Sequence, residues 1–590
     1  MLAVPFNVTL APRFYDGWQR RSLYVPVRDG TMLAVDIFRP VDKGNVVETS
    51  LPVLYRQKRY QRAIRLRDSG AIIGEVYDQN RYPNLTIMAA RQDMREVVQR
   101  GYVIVTCDMR GTGASFGTRA GVYRDMSPPA DAWDGRDIIA WIAEQPWCDG
   151  NVGMYGLSYE ARIQFEVAAT APAALRAIMP EAALVDWYQV FRRGGIFEQG
   201  YDWPGAFTSN DVDPLCAPVD DDPDGVLLRA AQRMHESNGG VNRSGKLWSL
   251  ERLPHRDSWD GEGGRAYYLA TDGFRTLLPE IARAGIAVHH IAGWFSLAPR
   301  WHTLAAYRWL ADTRTPQRLL MGDWGSMCDD RALWLATTIR FFDHWLKGID
   351  TGLMHELPIL TRTVGGEWRR LKQWTPTEAR LKPFWFGEPR ADGSRRFETS
   401  EPTVDRMDRY TADYSIATAY LSVSPTRPVD DFAAKLDAKA LCYTSDPLAF
   451  VLEVAGHPIA SLYVSTDAGD VDLIAFLEDV SQDGTVAHVT EGRLRASHRA
   501  LANPPFPNDG RPWHRSFAED ISAVKADEPM LLAFEMLPTD YRFAVGHCVR
   551  ISICCAHAGL DTPRCDPPPT IALHNTLECR SQISLPIVGG

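Results

Sequence analysis

Hydrophobic and polar positions along the chain follow three successive patterns. In the first third, short apolar runs alternate with helix-period segments. Pro52–Tyr55 and Tyr102–Cys107 read as buried strands, and Asp131–Glu144 as a helix with Ile138, Trp141 and Ile142 on one face. Val152–Tyr155 predicts another short strand, followed at once by a helix over Tyr159–Thr170. This β/α alternation predicts a mostly parallel sheet with helices on both faces. From about Asp186 to Leu278 the pattern breaks into Gly-, Trp- and Asp-rich sequence with patchy helix signals such as Val226–His235, which predicts an inserted helical cap. Alternation resumes with strands over Ile286–Ile291 and Arg318–Met321 and an amphipathic run over Arg331–Lys347.

Beyond about Trp374 apolar positions recur with period two. Phe450, Leu452 and Val454 are expected on one strand face; Val549, Ile551 and Ile553 share another, with Arg550 and Ser552 opposite. Turn clusters at Ser465–Asp470 and Asn508-Asp509-Gly510 separate such runs, the pattern of an antiparallel sandwich.

Composition adds exclusions. A chain of 590 residues, 45% hydrophobic and 23% charged, is neither disordered nor fibrous. The net charge of −10 argues against nucleic acid as a partner, because phosphate contact needs a basic field. A small molecule is the expected partner, and a homodimer contact through the sandwich is left open. No apolar run is long enough to span a membrane, and the residues from Met1 to Trp18 lack the basic-then-apolar pattern of a secretory leader. A cytoplasmic location is therefore expected. The ten cysteines lack metal-ligand spacing, and Cys554-Cys555 reads as a pair of buried strand thiols. No metal or cofactor is expected.

The stretch most informative about chemistry is Val152-Gly153-Met154-Tyr155-Gly156-Leu157-Ser158-Tyr159-Glu160-Ala161. A strand runs into Gly-x-Ser and directly into a helix, the context that a nucleophile elbow requires. The turn would hold Ser158 above the sheet, with the helix N-terminus and the Tyr159 N–H facing a developing oxyanion.

Trp141-Ile142-Ala143-Glu144-Gln145-Pro146-Trp147 followed by Gly153-Met154-Tyr155-Gly156-Leu157-Ser158-Tyr159 resembles the cocaine esterase/X-prolyl dipeptidyl-peptidase (CocE/NonD) family of serine hydrolases. Asp108-Met109-Arg110-Gly111-Thr112-Gly113-Ala114-Ser115 is similar to that family's D-x-R-G-x-G-x-S loop. Gly293-Trp294-Phe295, the run Phe341–Gly348 and Gly492-Arg493-Leu494-Arg495-Ala496-Ser497 also match, in order. The resemblance implies an α/β-hydrolase core (1–185 and 283–375), an inserted helical cap (186–282) and a C-terminal β jelly-roll sandwich (376–590). It implies Ser158 as nucleophile, with the Tyr159 N–H and the Tyr60 hydroxyl as oxyanion donors. The family's Thr-Pro pair before that tyrosine is Lys58-Arg59 here, and the small residue closing the elbow is Ala161.

The family's acid and base do not carry over. Where an aspartate follows Gly-Trp-aromatic, this chain has Ser296; where a histidine closes Gly-Pro-Trp-x-His, Gly322-Asp323-Trp324-Gly325-Ser326 ends in Ser326. A serine hydroxyl cannot take a proton from Ser158 near neutral pH. Losing such a member costs on the order of 10⁴-fold, roughly 5–8 kcal/mol of barrier. Substitute bases among nearby residues are Asp323, if burial raised its pKa, and His302; His289 and His290 precede them on a strand, facing opposite ways. Lys58 and Arg59 fit a carboxylate or phosphate clamp, or else a solvated loop. Trp294, Trp324, Trp187 and Trp203 could line an aromatic pocket between core and cap, or simply fill cores.

Three functions follow. The first is non-hydrolytic catalysis (cyclisation, isomerisation, elimination or acyl transfer) on a small carbonyl compound, with Tyr60 and the Tyr159 N–H polarising the carbonyl. The second is an ester or amide hydrolase of the X-Pro dipeptidyl-peptidase/esterase type with a relocated base. The third is a ligand-binding pseudoenzyme that keeps the pocket.

Overall fold

The computed structural model describes residues 12–66, 69–77, 94–118, 129–198, 215–237, 253–259, 266–416 and 431–589. The strands β1 (Gly17–Pro26), β2 (Met32–Asp42), β3 (Leu51–Lys58), β4 (Val103–Asp108), β5 (Cys148–Leu157), β6 (Leu175–Glu181), β7 (Ala287–Gly293), β8 (Gln317–Gly322), β9 (Ile359–Arg362) and β10 (Trp368–Leu371) line up in the order 1-2-4-3-5-6-7-8-9-10. Neighbours from β4 to β9 pair parallel, while β1, β2 and β10 run antiparallel at the two ends. This is the expected α/β-hydrolase core.

Parallel strands must be covered on both faces, and the sequence supplies apolar side chains to both. Along β5, Val152 and Met154 join one core and Tyr155 the other. Helices α2 (Pro129–Ala143) and α3 (Tyr159–Ala169) pack on the first face; α1 (Met94–Gln99) and α8 (Arg331–Lys347) cover the second. Gly153 permits the second contact, since a Cβ there would lie 2.6 Å from the Phe342 ring of α8. Between β6 and β7 come α4 (Trp187–Phe191), α5 (Val226–His235) and α6 (Leu278–Ala284), among other short helices; α7 (Leu297–Ala311) follows β7. Trp203 lies outside the described residues.

Residues 379–588 form a second, mainly antiparallel sheet around its own apolar core. It includes β11 (Asp472–Val480), β12 (Val486–Arg495) and β13 (Cys548–Cys554). On β13, Val549, Ile551 and Ile553 point into that core while Arg550 bonds Asp437 and Ser552 bonds Glu478. The Phe450 expectation is corrected: its strand begins only at Leu452, and Phe450 is 81% exposed. Its apolar side chain extends the alternation in the sequence but lies beyond the ladder. Cys554 and Cys555 are buried free thiols. No helix among the described residues is long and apolar enough to cross a membrane.

Candidate active site

Ser158 sits between β5 and α3 with φ 60° and ψ −114°, a conformation that non-glycine residues rarely hold. The turn is held from both sides. Its N–H donates to the Glu181 carbonyl of β6 at 2.8 Å, and its own carbonyl accepts from the Ala161 and Arg162 N–H groups. Gly156 has φ 153° and faces Glu160, whose Cβ would lie 2.8 Å from an added Cβ. A side chain at Gly156 would push the helix off the strand. Ser158 is half-buried at the head of α3, where the helix dipole favours negative charge.

Two loops, one after β7 and one after β8, meet each other. The Phe295 N–H donates to the Trp324 carbonyl at 3.0 Å and the Trp294 N–H to the Gly322 carbonyl at 2.8 Å. Glycine makes this approach possible: a Cβ on Gly293 would lie 2.1 Å from the Gly325 and Trp324 carbonyl oxygens. A Cβ on Gly322 would fall 1.9 Å from the Trp324 ring. Locked in this way, the loops bring the Ser296 and Ser326 hydroxyls to 2.8 Å. Arg300 anchors the first loop, donating to the Trp294 carbonyl and, at 2.8 Å, to the Thr490 hydroxyl on β12.

On the other side of the elbow, β3 leads into Arg59 and Tyr60. The Arg59 guanidinium lies 5.5 Å from the Tyr60 ring centre and 5.3 Å from that of Tyr159, between the two rings. Ser158, Tyr159, Arg59 and Tyr60 are thus gathered at the C-terminal edge of the parallel strands, where open α/β sheets bind ligands.

Residues 29–325 match the family model described as X-Pro dipeptidyl-peptidase (S15 family), and residues 347–575 match the one described as X-Pro dipeptidyl-peptidase C-terminal non-catalytic domain. The chain belongs to the S15 family. It is 29% identical to a Mycobacterium bovis protein named "Putative serine esterase" over 99% of this chain and 98% of that protein. It is 27% identical to the cocaine esterase of a Rhodococcus species over 90% of each. The fold resembles that of a CocE/NonD family hydrolase from Staphylococcus aureus, with a TM-score of 0.70 at 18% identity, covering 97% of this chain and 94% of that one.

Within this S15 framework several sequence expectations move. Lys58 is corrected: it is the last residue of β3, wholly buried, and its ammonium meets the Glu75 carboxylate at 2.5 Å. It belongs to an internal cluster with Arg56, Glu75 and Glu160 rather than to a substrate clamp. Burial alone would raise the Glu75 pKa, but the Arg56 and Lys58 charges outweigh it and hold the carboxyl at about 2. Burial pushes Glu160 up despite Arg56, and depresses Lys58.

The candidate bases are also placed. His302 is buried in α7, where its Nδ1 accepts the Val185 N–H at 3.4 Å and burial lowers its pKa to about 3. It is a neutral structural residue, not a base. His289 and His290 are buried on β7; burial drives the first well below the usual histidine range and the second to about 3. Asp323 turns toward β9, where Arg362 meets its carboxylate at 3.3 Å.

The pocket expectation for three tryptophans is corrected, because each fills a core. Trp294 donates its Nε1 to the Arg362 carbonyl and packs on Trp374; Trp324 packs against Trp368; Trp187 stacks on Phe191. The Arg110 loop is also structural, since Arg110 grips Asp134 and Asp29, and Ser115 donates to the Asp108 carbonyl.

Sequence reading missed Glu181. It ends β6, is 2% exposed, and its Oε1 accepts the Cys328 N–H at 2.6 Å. The available signal was an acidic residue closing the run Leu175-Arg176-Ala177-Ile178-Met179-Pro180.

Proposed function

We propose that the protein is a serine-dependent acyl-transfer enzyme of the esterase and X-Pro dipeptidyl-peptidase type, acting on a small ester or amide. Ser158 is the nucleophile, and its strained backbone at the head of α3 is the observation that carries the reading. The Tyr159 N–H and the Tyr60 hydroxyl serve as the oxyanion hole, where donors aimed at developing charge lower the barrier most. Ser296 and Ser326 stand where the family's acid and base belong. Their mutual hydrogen bond supports that assignment, because it joins the two loops in the way an acid joins a base. Neither hydroxyl can accept the Ser158 proton near neutral pH, so the base lies elsewhere.

The same serine pair favours a second reading, in which the polarised carbonyl never acylates the enzyme and the reaction is a cyclisation, isomerisation or elimination. A fluorophosphonate probe followed by intact mass, on the natural protein and on Ser158→Ala, separates the two. Stoichiometric labelling lost in the variant is expected. A folded natural protein that takes no label would remove the acyl-transfer reading and leave the second.

A further inference from the structure

On the C-terminal sheet two strands and a helix bring two carboxyl groups together around one serine. Glu478 lies on β11, Ser552 on β13, and Asp437 ends the helix Asp431–Asp437. The Ser552 hydroxyl lies 2.5 Å from the Asp437 Oδ1 and 2.7 Å from the Glu478 Oε2. A serine hydroxyl has one proton to donate, and an ionised carboxylate has none. Two such short contacts to carboxyl oxygens therefore need a second proton. The Arg550 guanidinium sits against the other Asp437 oxygen, whereas the Glu478 Oε1 is buried with no hydrogen-bond partner among the described residues. The second proton thus belongs on the Glu478 Oε2. It donates to the Ser552 Oγ, and the Ser552 hydroxyl donates to Asp437. Burial and the Asp437 charge both push Glu478 well above the usual carboxyl range, in agreement with this assignment.

The chain of bonds closes a seam. Ile474, Phe476 and Glu478 alternate onto one face of β11, opposite Cys554, Ser552 and Arg550 of β13. The helix packs against β12, and its Leu436 is wholly buried. Leu436 belongs to the same apolar core as Ile474, Phe476 and Cys554, the core that also covers the first face of the parallel sheet. A helix held on this face therefore helps to close the C-terminal sheet against the rest of the chain.

The neighbouring titratable groups keep their charge state around neutral pH. His488, the cross-strand partner of Glu478 on β12, is lowered by burial to about 4. The Cys442 thiol, 3.4 Å from the Ser552 Oγ, is pushed up by burial to about 12, and burial also raises Cys554. Arg550 donates to the Thr444 hydroxyl at 2.9 Å as well as to Asp437. Glu491, further along β12, pairs with Arg193. Asp479 follows Glu478 on β11 but takes the opposite face, where it meets His547. Lys435 on the helix is exposed.

We propose that Glu478 is an un-ionised acid in the folded protein, and that its proton, shared through Ser552 with Asp437, clamps the helix Asp431–Asp437 onto the C-terminal sheet. The clamp responds to pH in one direction. Glu478 is held protonated when folded but ionises near 4.5 when exposed, so its stabilisation is complete below pH 4.5 and is lost as pH rises toward the folded pKa. Once the proton leaves, two adjoining carboxylates have a single hydroxyl proton between them, and release of the helix relieves their repulsion.

Two measurements on the full chain, for the natural protein and Glu478→Gln, test this. Glutamine keeps an N–H for the Ser552 oxygen but has no acidic proton to lose. The first is the infrared difference spectrum of the two proteins at pH 7. The natural protein should show one carboxylic acid carbonyl band that the variant lacks; its absence would mean that Glu478 is ionised and would overturn the proposal. The second is amide deuterium exchange of the helix segment between pH 6 and 10, each rate divided by that of an unstructured peptide of the same sequence. Protection in the natural protein should fall with rising pH, by up to about tenfold per unit, the slope of one released proton. Protection in Glu478→Gln should stay level. A natural protein whose helix protection is flat from pH 6 to 10 would overturn the clamp, and that result needs no variant to fold. So would an equal fall in a folded Glu478→Gln.

Discussion

His302 has the chemistry of a base in the sequence but not in the fold. Burial holds its pKa near 3, against 6.5 for a free histidine, so it is neutral in the folded state across ordinary pH. Because the folded pKa is depressed, the stabilisation is complete above pH 6.5 and lost as pH falls, when only the unfolded chain takes the proton. By pH 5 this costs about 2 kcal/mol. His302→Gln, which can still accept from Val185 N–H but does not titrate, should therefore lose about 2 kcal/mol less between pH 7 and pH 5 than the natural protein in urea melts. An equal pH slope in both would mean that His302 titrates freely. Lys58 is equally buried but is paired with the Glu75 carboxylate. Removing one partner from a buried ion cluster leaves uncompensated charge, so Lys58→Met should cost about 3–5 kcal/mol of stability. The fluorophosphonate labelling rate of its folded fraction should not change. In both residues the side-chain chemistry was legible in the sequence. What decides their roles is burial among residues from distant segments, such as Val185 beside His302 and Glu75 beside Lys58.

The loops after β7 and β8 are elements whose shape depends on two glycines. Gly293→Ala would place a Cβ 2.1 Å from the backbone oxygens of Gly325 and Trp324, neither of which can move aside as a flexible side chain can. The loops must part, at a cost of about 3 kcal/mol or more, read as a lowered melting temperature. The same geometry makes a constructive prediction. If these loops retain the arrangement of an acid and a base, the double variant Ser296→Asp with Ser326→His should supply the family's own acid and base and raise the Ser158 labelling rate above the natural one, by about 100-fold. No gain from a folded double variant would mean that the loops no longer aim at Ser158. Local signals carried this part of the site. Gly-x-Ser between a strand and a helix announced the elbow, and the Gly-Trp-aromatic and Asp-Trp-Gly spacings placed two serines 30 positions apart that do meet. The tryptophans in those motifs misled because an indole near a motif looks the same whether it lines a pocket or packs a core. Trp294 and Trp324 are held by Arg362, Trp374 and Trp368, all contributed from beyond the motifs. Glu181 escaped notice because its contacts with the Ser158 turn and Cys328 depend on strand order, which puts β6 between β5 and β7, and no residue spacing in the chain reports that.

Across the whole molecule, the C-terminal sheet is tied by buried polar contacts to the segment between β6 and β7 and to α7. Arg493 on β12 meets Glu198 at 2.8 Å, Arg193 meets Glu491, and Trp301 of α7 donates to Glu535 at 2.6 Å. The run Gly492–Ser497, which resembled the family in sequence, includes a part of this seam: Arg493 also donates to the Arg193 carbonyl at 3.3 Å. Both partners of the Arg493–Glu198 pair are almost fully buried, so the pair has given up most of its hydration. Breaking such a pair costs more than replacing it whole, because a lone buried charge keeps its desolvation penalty and loses its attraction. Arg493→Met should accordingly lower stability by about 3–5 kcal/mol. Adding Glu198→Leu should recover most of that loss, since two packed apolar side chains of similar volume can substitute for a buried pair. Calorimetry distinguishes the seam from a merely local contact. If the pair couples the second sheet to the segment between β6 and β7, Arg493→Met should broaden or split the unfolding endotherm, while the double variant returns it to one cooperative peak. A single endotherm of natural width in Arg493→Met, shifted only in temperature, would place the coupling in the remaining contacts, among them the Arg300 bridge from the Ser296 loop to Thr490.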